Sequence, residues 1–214
     1  MPLSSGTVTS PKLNDKHPIN KSDKGLIIRN YQNAVLLYIL IFTVFKLNFK
    51  KVNHVDYAGG YGILVRILRD LNIRSYWYDK YCVNLFSEDY NWEPQMPIKI
   101  DLISAFEVFE HFENPILEID ALSKISKNII FTTRIIGESI PGINDWWYYG
   151  VEHGQHIGFF RKRTLFFLSE RYSLNIYSDG VGIHLLTEKK IQSLLFFIIC
   201  KFSKFSILNI LKRL

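Results

Sequence analysis

Residues 51–62, Lys-Val-Asn-His-Val-Asp-Tyr-Ala-Gly-Gly-Tyr-Gly, decide the fold of this chain. An apolar strand end leads into Asp56, three glycines follow within four positions, and an apolar helical pattern begins at Ile63. This order predicts a strand, a tight glycine turn and a helix, which together bring backbone amides close to a ligand. Glycine is needed where a Cβ would block close approach or where φ is positive. The acidic residue before the turn suits a cationic group or hydroxyls better than a bare phosphate.

Strand and helix patterns alternate along the rest of the chain. Strand patterns fall near 52–56, 74–78, 101–106, 128–133, 174–178 and 183–187, and helical patterns near 62–71, 114–126 and 162–172. Alternation of this kind predicts an α/β fold with a doubly wound parallel sheet. The last two strands flank a Ser-Asp-Gly-Val-Gly turn, which predicts a hairpin that adds one antiparallel strand.

Three further segments divide the chain. Residues 1–24 are polar and contain three prolines, which predicts a mobile tail before a domain at 25–190. Residues 33–45 are almost wholly apolar but shorter than the about 20 residues of a spanning helix, which favours a buried helix packed on the sheet. Residues 191–214 mix apolar and basic residues and predict an amphipathic helical extension. That extension either lies on a membrane surface or packs against the domain or a second copy.

Composition narrows the class of protein. The 214 residues are 48% hydrophobic and 15% aromatic, which is typical of a folded globular chain with one core. The net charge of +6 favours anionic surroundings, but the lysines are scattered and no nucleic-acid recognition motif is present, so no nucleic-acid partner is expected. Cys82 and Cys200 lie far apart without metal-ligand spacing, which predicts free thiols in the cytoplasm. The first residues show no signal-peptide pattern.

A second carboxylate follows the glycine turn at a spacing that is typical of a ribose-binding residue. Asp79 lies 23 positions after Asp56, where a residue at the end of the second strand can accept hydrogen bonds from ribose hydroxyls. The fingerprint G-x-G-x-x-G is broken, because the third glycine position, counted from Gly60, holds Val65. A single adenosine-bearing ligand therefore fits better than a nicotinamide dinucleotide.

The glycine motif, Asp79 and Phe106-Glu-Val-Phe-Glu-His-Phe112 resemble the class I S-adenosylmethionine-dependent methyltransferases over roughly residues 50–188. Segments 76–81 and 146–156 are similar to the subgroup associated with sugar and polysaccharide biosynthesis. The resemblance implies a Rossmann-like, doubly wound sheet of seven mostly parallel strands and S-adenosyl-L-methionine as cofactor.

The same resemblance implies a set of cofactor-binding residues: Asp56, Ala58, Gly60, Gly62, Asp79, Phe106 and Glu107. Asp56 and the amides of the two glycines would face the cationic methionine end, and Asp79 would hold the ribose. Ala58 stands at the family's first glycine, which is tolerated if φ stays negative; otherwise cofactor affinity should fall. The adenine wall is expected at Asn84, Leu85 or Phe86, which the sequence does not separate.

Acceptor and catalytic residues are expected after the later strands. Trp146, Trp147 and Tyr149 could stack on a sugar ring or could fold over the core, and Arg161 could contact an anionic acceptor. The candidates for removing a proton are His156, His111 and Glu152. Either histidine could instead be a structural one. No metal site is expected, because Glu107, Glu110 and His111 are too few and too local.

These features predict a methyltransferase that acts on a hydroxyl of a sugar or glycan intermediate. We place it in the cytoplasm, with peripheral contact to the inner face of a membrane through residues 191–214. The alternative is a catalytically weak or inactive binding protein that keeps the fold and docks on a membrane or an enzyme complex. A nicotinamide-dependent oxidoreductase is the weakest of the three hypotheses. The identity of the acceptor, O- against N-methylation and the oligomeric state do not follow from the sequence.

Overall fold

The structure, a computed structural model, describes residues 25–46, 48, 51–151 and 156–211, with side chains described up to Phe205. The predicted tail at 1–24 lies outside these residues. The helices are α1 Leu26–Thr43, α2 Ile63–Asp70, α3 Pro115–Ile125, α4 Lys162–Tyr172 and α5 Ser193–Leu211. The strands are β1 Asn53–Tyr57, β2 Arg74–Tyr78, β3 Leu102–Ala105, β4 Asn128–Thr132, β5 Asn175–Ser178 and β6 Ile183–Thr187.

The strands form one sheet in the order β2-β1-β3-β4-β6-β5. The pairs among β2, β1, β3 and β4 are parallel, with Val55 opposite Tyr76 on one side and Ile103 on the other. β6 is antiparallel to both of its neighbours. The predicted doubly wound, mostly parallel sheet with a C-terminal hairpin is therefore confirmed.

The predicted count of seven strands is not confirmed, because the described residues form six. Between β2 and β3 the chain makes a single parallel bridge, from Asn91 to Trp77. Pro94 and Pro97 follow, and neither has an N–H to donate to a ladder. The edge beside β2 therefore carries only the start of a further strand.

Helices cover both faces of the sheet. One buried cluster joins α1, α2 and α5 to the sheet, with Leu37, Leu64 and Phe196 among its members. A second cluster joins α3 and α4 to the opposite face, through Ile119 and Leu165 among others. Successive β4 residues belong to opposite clusters, as the alternation of side chains along a strand requires.

Helix α1 is the buried helix expected before the first strand, but it begins at Leu26 rather than near residue 33. Leu36, Leu37, Leu40 and Ile41 are buried in the core. By length and hydropathy alone, α1 would also be able to cross a membrane. The sequence pattern missed its first two turns because their polar residues face a cleft rather than the core.

Helix α5 packs on the domain, which is one of the two arrangements expected for residues 191–214. Phe196, Ile199 and Cys200 are buried, and α5 lies against α1. The Lys204 ammonium bonds the carboxylate of Asp179 in the β5–β6 turn at 2.7 Å. This ion pair, here called the α5 latch, holds the helix against the hairpin.

Candidate functional site

A cleft of about 860 Å³ opens at the carboxyl ends of β1, β2 and β3. Its walls come from the first turns of α1, the glycine turn, the loop after β2, the segment after β3, and α3. Ligands of open α/β sheets bind at this edge, and the volume suits a nucleotide-sized molecule. Seven of the predicted site residues line this cleft: Asp56, Ala58, Gly60, Asp79, Phe106, Glu107 and His111.

The glycine turn needs glycine for two reasons. Gly60 and Gly62 have φ of 56° and 84°, in the left-handed region. A Cβ on Gly62 would also collide with the side chains of Asn84 and Ser87. A Cβ on Gly59 would lie 2.8 Å from the Trp77 ring and 2.9 Å from an Asp56 carboxylate oxygen. The turn can therefore approach its neighbours only without side chains.

Ala58 does not meet the condition set from the sequence. Its φ is 57°, not negative. A left-handed alanine costs roughly 1–2 kcal/mol, because its Cβ crowds the following carbonyl. The turn therefore carries strain at the position where the family's first glycine is expected. Strained residues of this kind concentrate at ligand sites.

Asp56 is buried at the end of β1 and takes part in a chain of polar side chains. Ser104 donates to its carboxylate at 2.5 Å, and His54 lies between the hydroxyls of Ser104 and Ser75 at 2.9 and 2.8 Å. Burial, reinforced by the charge of Asp79, raises the pKa of Asp56 to about 7. Burial lowers the pKa of His54 to about 3, so this ring is neutral.

Asp79 lines the cleft but already accepts several backbone hydrogen bonds. Its Oδ2 accepts from the Gly60 amide at 3.0 Å, and its Oδ1 accepts from the amides of Tyr81 and Cys82 at 2.8 and 2.9 Å. An ionised carboxylate has about four lone-pair positions, so one remains for a ligand hydroxyl. Its role toward a ribose stays a prediction.

Glu107 follows β3 in a strained conformation, with φ at 55°. Its backbone amide donates to the Thr132 hydroxyl, which in turn donates to the Glu107 carboxylate, each at 2.7 Å. The next residues form a short 3₁₀ turn, Phe109–His111, so Glu107 and His111 do not share an α-helical face as the spacing suggested. Both nonetheless line the cleft.

Several cleft residues were missed from the sequence. Arg29, Asn30 and Asn33 of α1 line the cleft. Glu118 of α3 accepts the Tyr57 hydroxyl at 2.8 Å and pairs with the Lys80 ammonium at 3.1 Å. Only the assembled fold places these side chains together.

The residues expected to wall the adenine do not line the cleft. The loop after β2 lines it with Tyr81 and Cys82 instead of the expected candidates, which were Asn84, Leu85 and Phe86. Asn84 is buried, where its amide donates to the Ser87 carbonyl at 2.7 Å.

The two predicted catalytic histidines lie together. The rings of His111 and His156 are 4.9 Å apart, edge to face. His156 Nδ1 bonds the Tyr148 carbonyl at 2.6 Å, and the Tyr148 hydroxyl donates to Glu110 at 2.6 Å. Burial, with the nearby charge of Glu107, raises the pKa of Glu110 to about 7. Glu152, the third catalytic candidate, lies outside the described residues.

The predicted acceptor residues do not line the cleft. Trp147 is 73% exposed, with the Arg134 guanidinium 5.6 Å from its ring centre, whereas Trp146 and Tyr149 pack edge to face at 5.0 Å. The Arg161 guanidinium bonds the backbone carbonyl of Glu138 at 3.1 Å. Their contact with an acceptor stays a prediction.

The strand order and the cleft define a Rossmann-like α/β domain. The family comparison is more specific: residues 29–178 match the family described as a methyltransferase domain. The match covers more than half of the chain, so the chain belongs to this family and is a methyltransferase. No curated protein matches the sequence significantly.

Solved structures share the fold at low identity. Magnesium protoporphyrin IX methyltransferase from Synechocystis PCC 6803, with bound SAH, is 14% identical with a TM-score of 0.52, over 75% of this chain and 85% of its own. The plantazolicin methyltransferase BpumL is 13% identical with a TM-score of 0.52, over 87% and 79%. The pyocyanin biosynthetic protein PhzM is 13% identical with a TM-score of 0.50, over 72% of this chain and 54% of its own.

Proposed function

We propose that this methyltransferase uses S-adenosyl-L-methionine to methylate a hydroxyl group of a sugar or glycan biosynthetic intermediate in the cytoplasm. The observation that carries the cofactor assignment is the open cleft in which two carboxylates, Asp56 and Asp79, flank a glycine turn. The glycan part rests on the resemblance of segments 76–81 and 146–156 to the sugar-related subgroup.

The residues present fit this cofactor. Asp56 offers a carboxylate for a cationic methionine end, and Asp79 retains one acceptor position for a ribose hydroxyl. When bound, S-adenosylmethionine supplies an electrophilic methyl group on a positively charged sulfur. The protein's main task is then to hold the acceptor oxygen in line with that methyl group.

A hydroxyl acceptor must lose its proton as its oxygen bonds to the methyl carbon. The carbon–sulfur bond breaks at the same time, and its electron pair stays on the sulfur. His111 lines the cleft, and its ring lies 4.9 Å from that of His156, so we assign this pair to receive the proton. Glu152 remains a third candidate.

The exposed face of Trp147 supports a sugar as acceptor, because aromatic rings stack on the apolar faces of sugars. The test is incubation of the purified chain with methyl-labelled cofactor and a panel of nucleotide sugars and glycan intermediates, with Asp79→Ala alongside. We expect label in a sugar product with the wild-type chain only. Cofactor binding without labelling of any sugar would favour the alternative, a catalytically inactive binding protein.

We infer that peripheral contact with a membrane would use the exposed apolar stripe of α5, within residues 191–214. On α5, Leu194, Ile198, Phe202 and Phe205 are spaced three or four apart and lie on one exposed face. Truncation at 190 would uncover the core, so the test is flotation with anionic vesicles of the double variant Ile198→Ser and Phe202→Ser. Ile143→Ser, at an exposed loop residue, is the control. Equal flotation of all three proteins would refute the contact.

A further inference from the structure

Three potential metal ligands from two distant parts of the chain meet beside the cofactor cleft. Glu110, His111 and His156 each offer one ligand atom, and these atoms lie within 4.8 Å of one another. The sequence pattern suggested no metal site because it counted only the local group around Glu110. It missed His156, which the fold brings in from 45 positions further along the chain.

Backbone hydrogen bonds fix this meeting. The amides of Ile157 and Gly158 both donate to the Glu110 carbonyl at 2.9 Å. The residue just before them, His156, is therefore held against the turn that carries Glu110 and His111. Ordered backbone therefore brings the two segments of the cluster together.

One carboxylate oxygen of Glu110 is buried without a hydrogen bond from any described residue. Its side chain is buried, and its Oε1 accepts the Tyr148 hydroxyl at 2.6 Å. Its Oε2 is buried as well and has no hydrogen-bond partner among the described residues. A buried polar atom without a hydrogen bond destabilises the folded state, so a cation bound at this oxygen would remove that destabilisation.

His156 is oriented in the way that metal-bound histidines are. The Tyr148 carbonyl can only accept a hydrogen bond, so Nδ1 of His156 carries the proton at this 2.6 Å contact. In the neutral tautomer that this bond selects, Nε2 carries the lone pair that a metal would use. A hydrogen bond from the other ring nitrogen to a backbone carbonyl is the usual support for such a ligand.

We propose that Glu110, His111 and His156 bind one divalent transition-metal ion at the edge of the cofactor cleft. Two imidazoles and one carboxylate suit zinc, manganese or iron and do not suit calcium or magnesium. In a tetrahedral zinc site, ligand atoms at about 2.1 Å from the ion lie about 3.4 Å apart. The widest pair of the cluster, at up to 4.8 Å, must therefore close by about 1.4 Å. Rotations of the His111 and His156 side chains would have to supply this closure.

The chemical role of the ion rests on the proposed methyl transfer, whereas its binding does not. His111 lines the cleft, so the ion would face the acceptor side. Once they ligate the ion, His111 and His156 can no longer receive the acceptor's proton. The ion instead lowers the pKa of the hydroxyl that ligates it, so that the proton is lost to water, and it fixes the position of the oxygen. The acceptor would then be a hydroxyl with a second oxygen close by, as in the vicinal hydroxyls of sugars.

The test is metal binding by the tag-free full chain after dialysis against a chelator, without cofactor or acceptor. Zinc is titrated by calorimetry, and cobalt is followed by its visible absorption, which reports the coordination of the ion. The variants are Glu110→Gln, His111→Asn and His156→Asn, and Glu88→Gln at an exposed carboxylate is the matched control. Circular dichroism checks that each variant folds, and the two histidine variants keep the test intact if Glu110→Gln does not.

We expect one zinc ion per wild-type chain, at least 100-fold weaker zinc binding in each ligand variant, and no change in Glu88→Gln. No binding by the wild-type chain, or binding that none of the three variants weakens, would overturn the proposal. Titration with S-adenosylhomocysteine in parallel separates this failure from failure of the proposed function. Loss of the metal site alone would leave cofactor binding intact.

Discussion

The Asp79 carboxylate accepts a hydrogen bond from the Gly60 amide at 3.0 Å, which ties the end of β2 to the glycine turn after β1. The end of β2 and the glycine turn are therefore held together without a bound ligand. A site that is already ordered loses less conformational entropy when it binds its ligand. Asp79 consequently has two functions in this account, since it shapes the turn and also faces the cleft.

Replacement of Ala58 tests whether the backbone strain of the glycine turn reduces the stability of the fold or the affinity for the ligand. Because Ala58 already has φ of 57° without a ligand, its cost falls on folding and not on binding. Ala58→Gly should raise the free energy of unfolding by about 1 kcal/mol and change the affinity for S-adenosylhomocysteine less than twofold. Urea unfolding and calorimetry measure these two quantities.

Ser173→Gly is the matched control for that replacement, because Ser173 has φ of 52° at the exposed end of α4. It should give a similar gain in stability and no change in affinity. A large gain in affinity for Ala58→Gly alone would show that the turn rearranges on binding, against this account.

The pKa of Asp56 predicts how cofactor binding depends on pH. With a pKa of about 7, raised by burial, Asp56 is largely protonated at pH 6 and ionised at pH 8. A cationic methionine end favours the ionised form, so affinity should rise about tenfold per pH unit below 7 and level off above it. Calorimetric titrations from pH 5.5 to about 8.5 test this range. Asp56→Asn should bind weakly, with only the ligand's own pH dependence.

The same shift has a defined effect on stability. Between pH 3.8 and about 7 the folded chain holds a proton on Asp56 that the unfolded chain does not. This group therefore lowers the free energy of unfolding as pH rises through that window. The difference in stability between wild type and Asp56→Asn should follow this trend, and a difference independent of pH would contradict the assignment.

Asp179 should be important for the attachment of α5. Its Oδ1 accepts three backbone amides from residues 181–183, and its Oδ2 accepts the Lys204 ammonium. Asp179→Ala would leave these donors unpaired and should lower the free energy of unfolding by about 2–4 kcal/mol. Asp70→Ala, which removes an exposed pair with Arg66, should cost less than about 1 kcal/mol. Equal losses in urea unfolding would contradict the latch.

Acid should release the same latch. Burial opposes ionisation of Asp179, but the hydrogen bonds from the amides and from Lys204 outweigh it and lower its pKa to about 2. The stability that it contributes is present above its ordinary pKa of 3.8 and is lost as pH falls toward 2. The difference in unfolding free energy between wild type and Asp179→Ala should shrink over that range.

The order of helices and strands could be predicted because local patterns determine it. Strands such as β3, buried on both faces, read as short apolar runs, and the glycine turn has few conformations that its neighbours allow. The start of α1 could not be found, because Arg29, Asn30 and Asn33 face the cleft and interrupt the apolar pattern. The seventh strand, expected beside β2, does not form among the described residues. Whether a segment pairs with an edge strand depends on contacts that a local sequence pattern does not reveal.

The site could be predicted only where its residues lie next to a motif. Asp56 is the penultimate residue of β1, and Asp79 and Glu107 follow the ends of β2 and β3, so their place at one sheet edge follows from topology. The meeting of Glu110 with His156 depends on hydrogen bonds between distant segments. The left-handed φ of Ala58 likewise depends on packing that no residue pattern records. The aromatic loop was assigned to the acceptor by resemblance, and its contacts in the fold are with itself and its neighbours.

The most direct test of the account is calorimetric titration of the full chain with S-adenosylhomocysteine. We expect one site per wild-type chain and at least 100-fold weaker binding for Asp79→Ala, because this variant loses both the bond to Gly60 and the acceptor for a ribose hydroxyl. Asp89→Ala, at an exposed carboxylate outside the cleft, should bind as the wild-type chain does. No heat of binding from the folded wild-type chain, or equal affinity for Asp79→Ala, would contradict the assignment of the cleft to this cofactor.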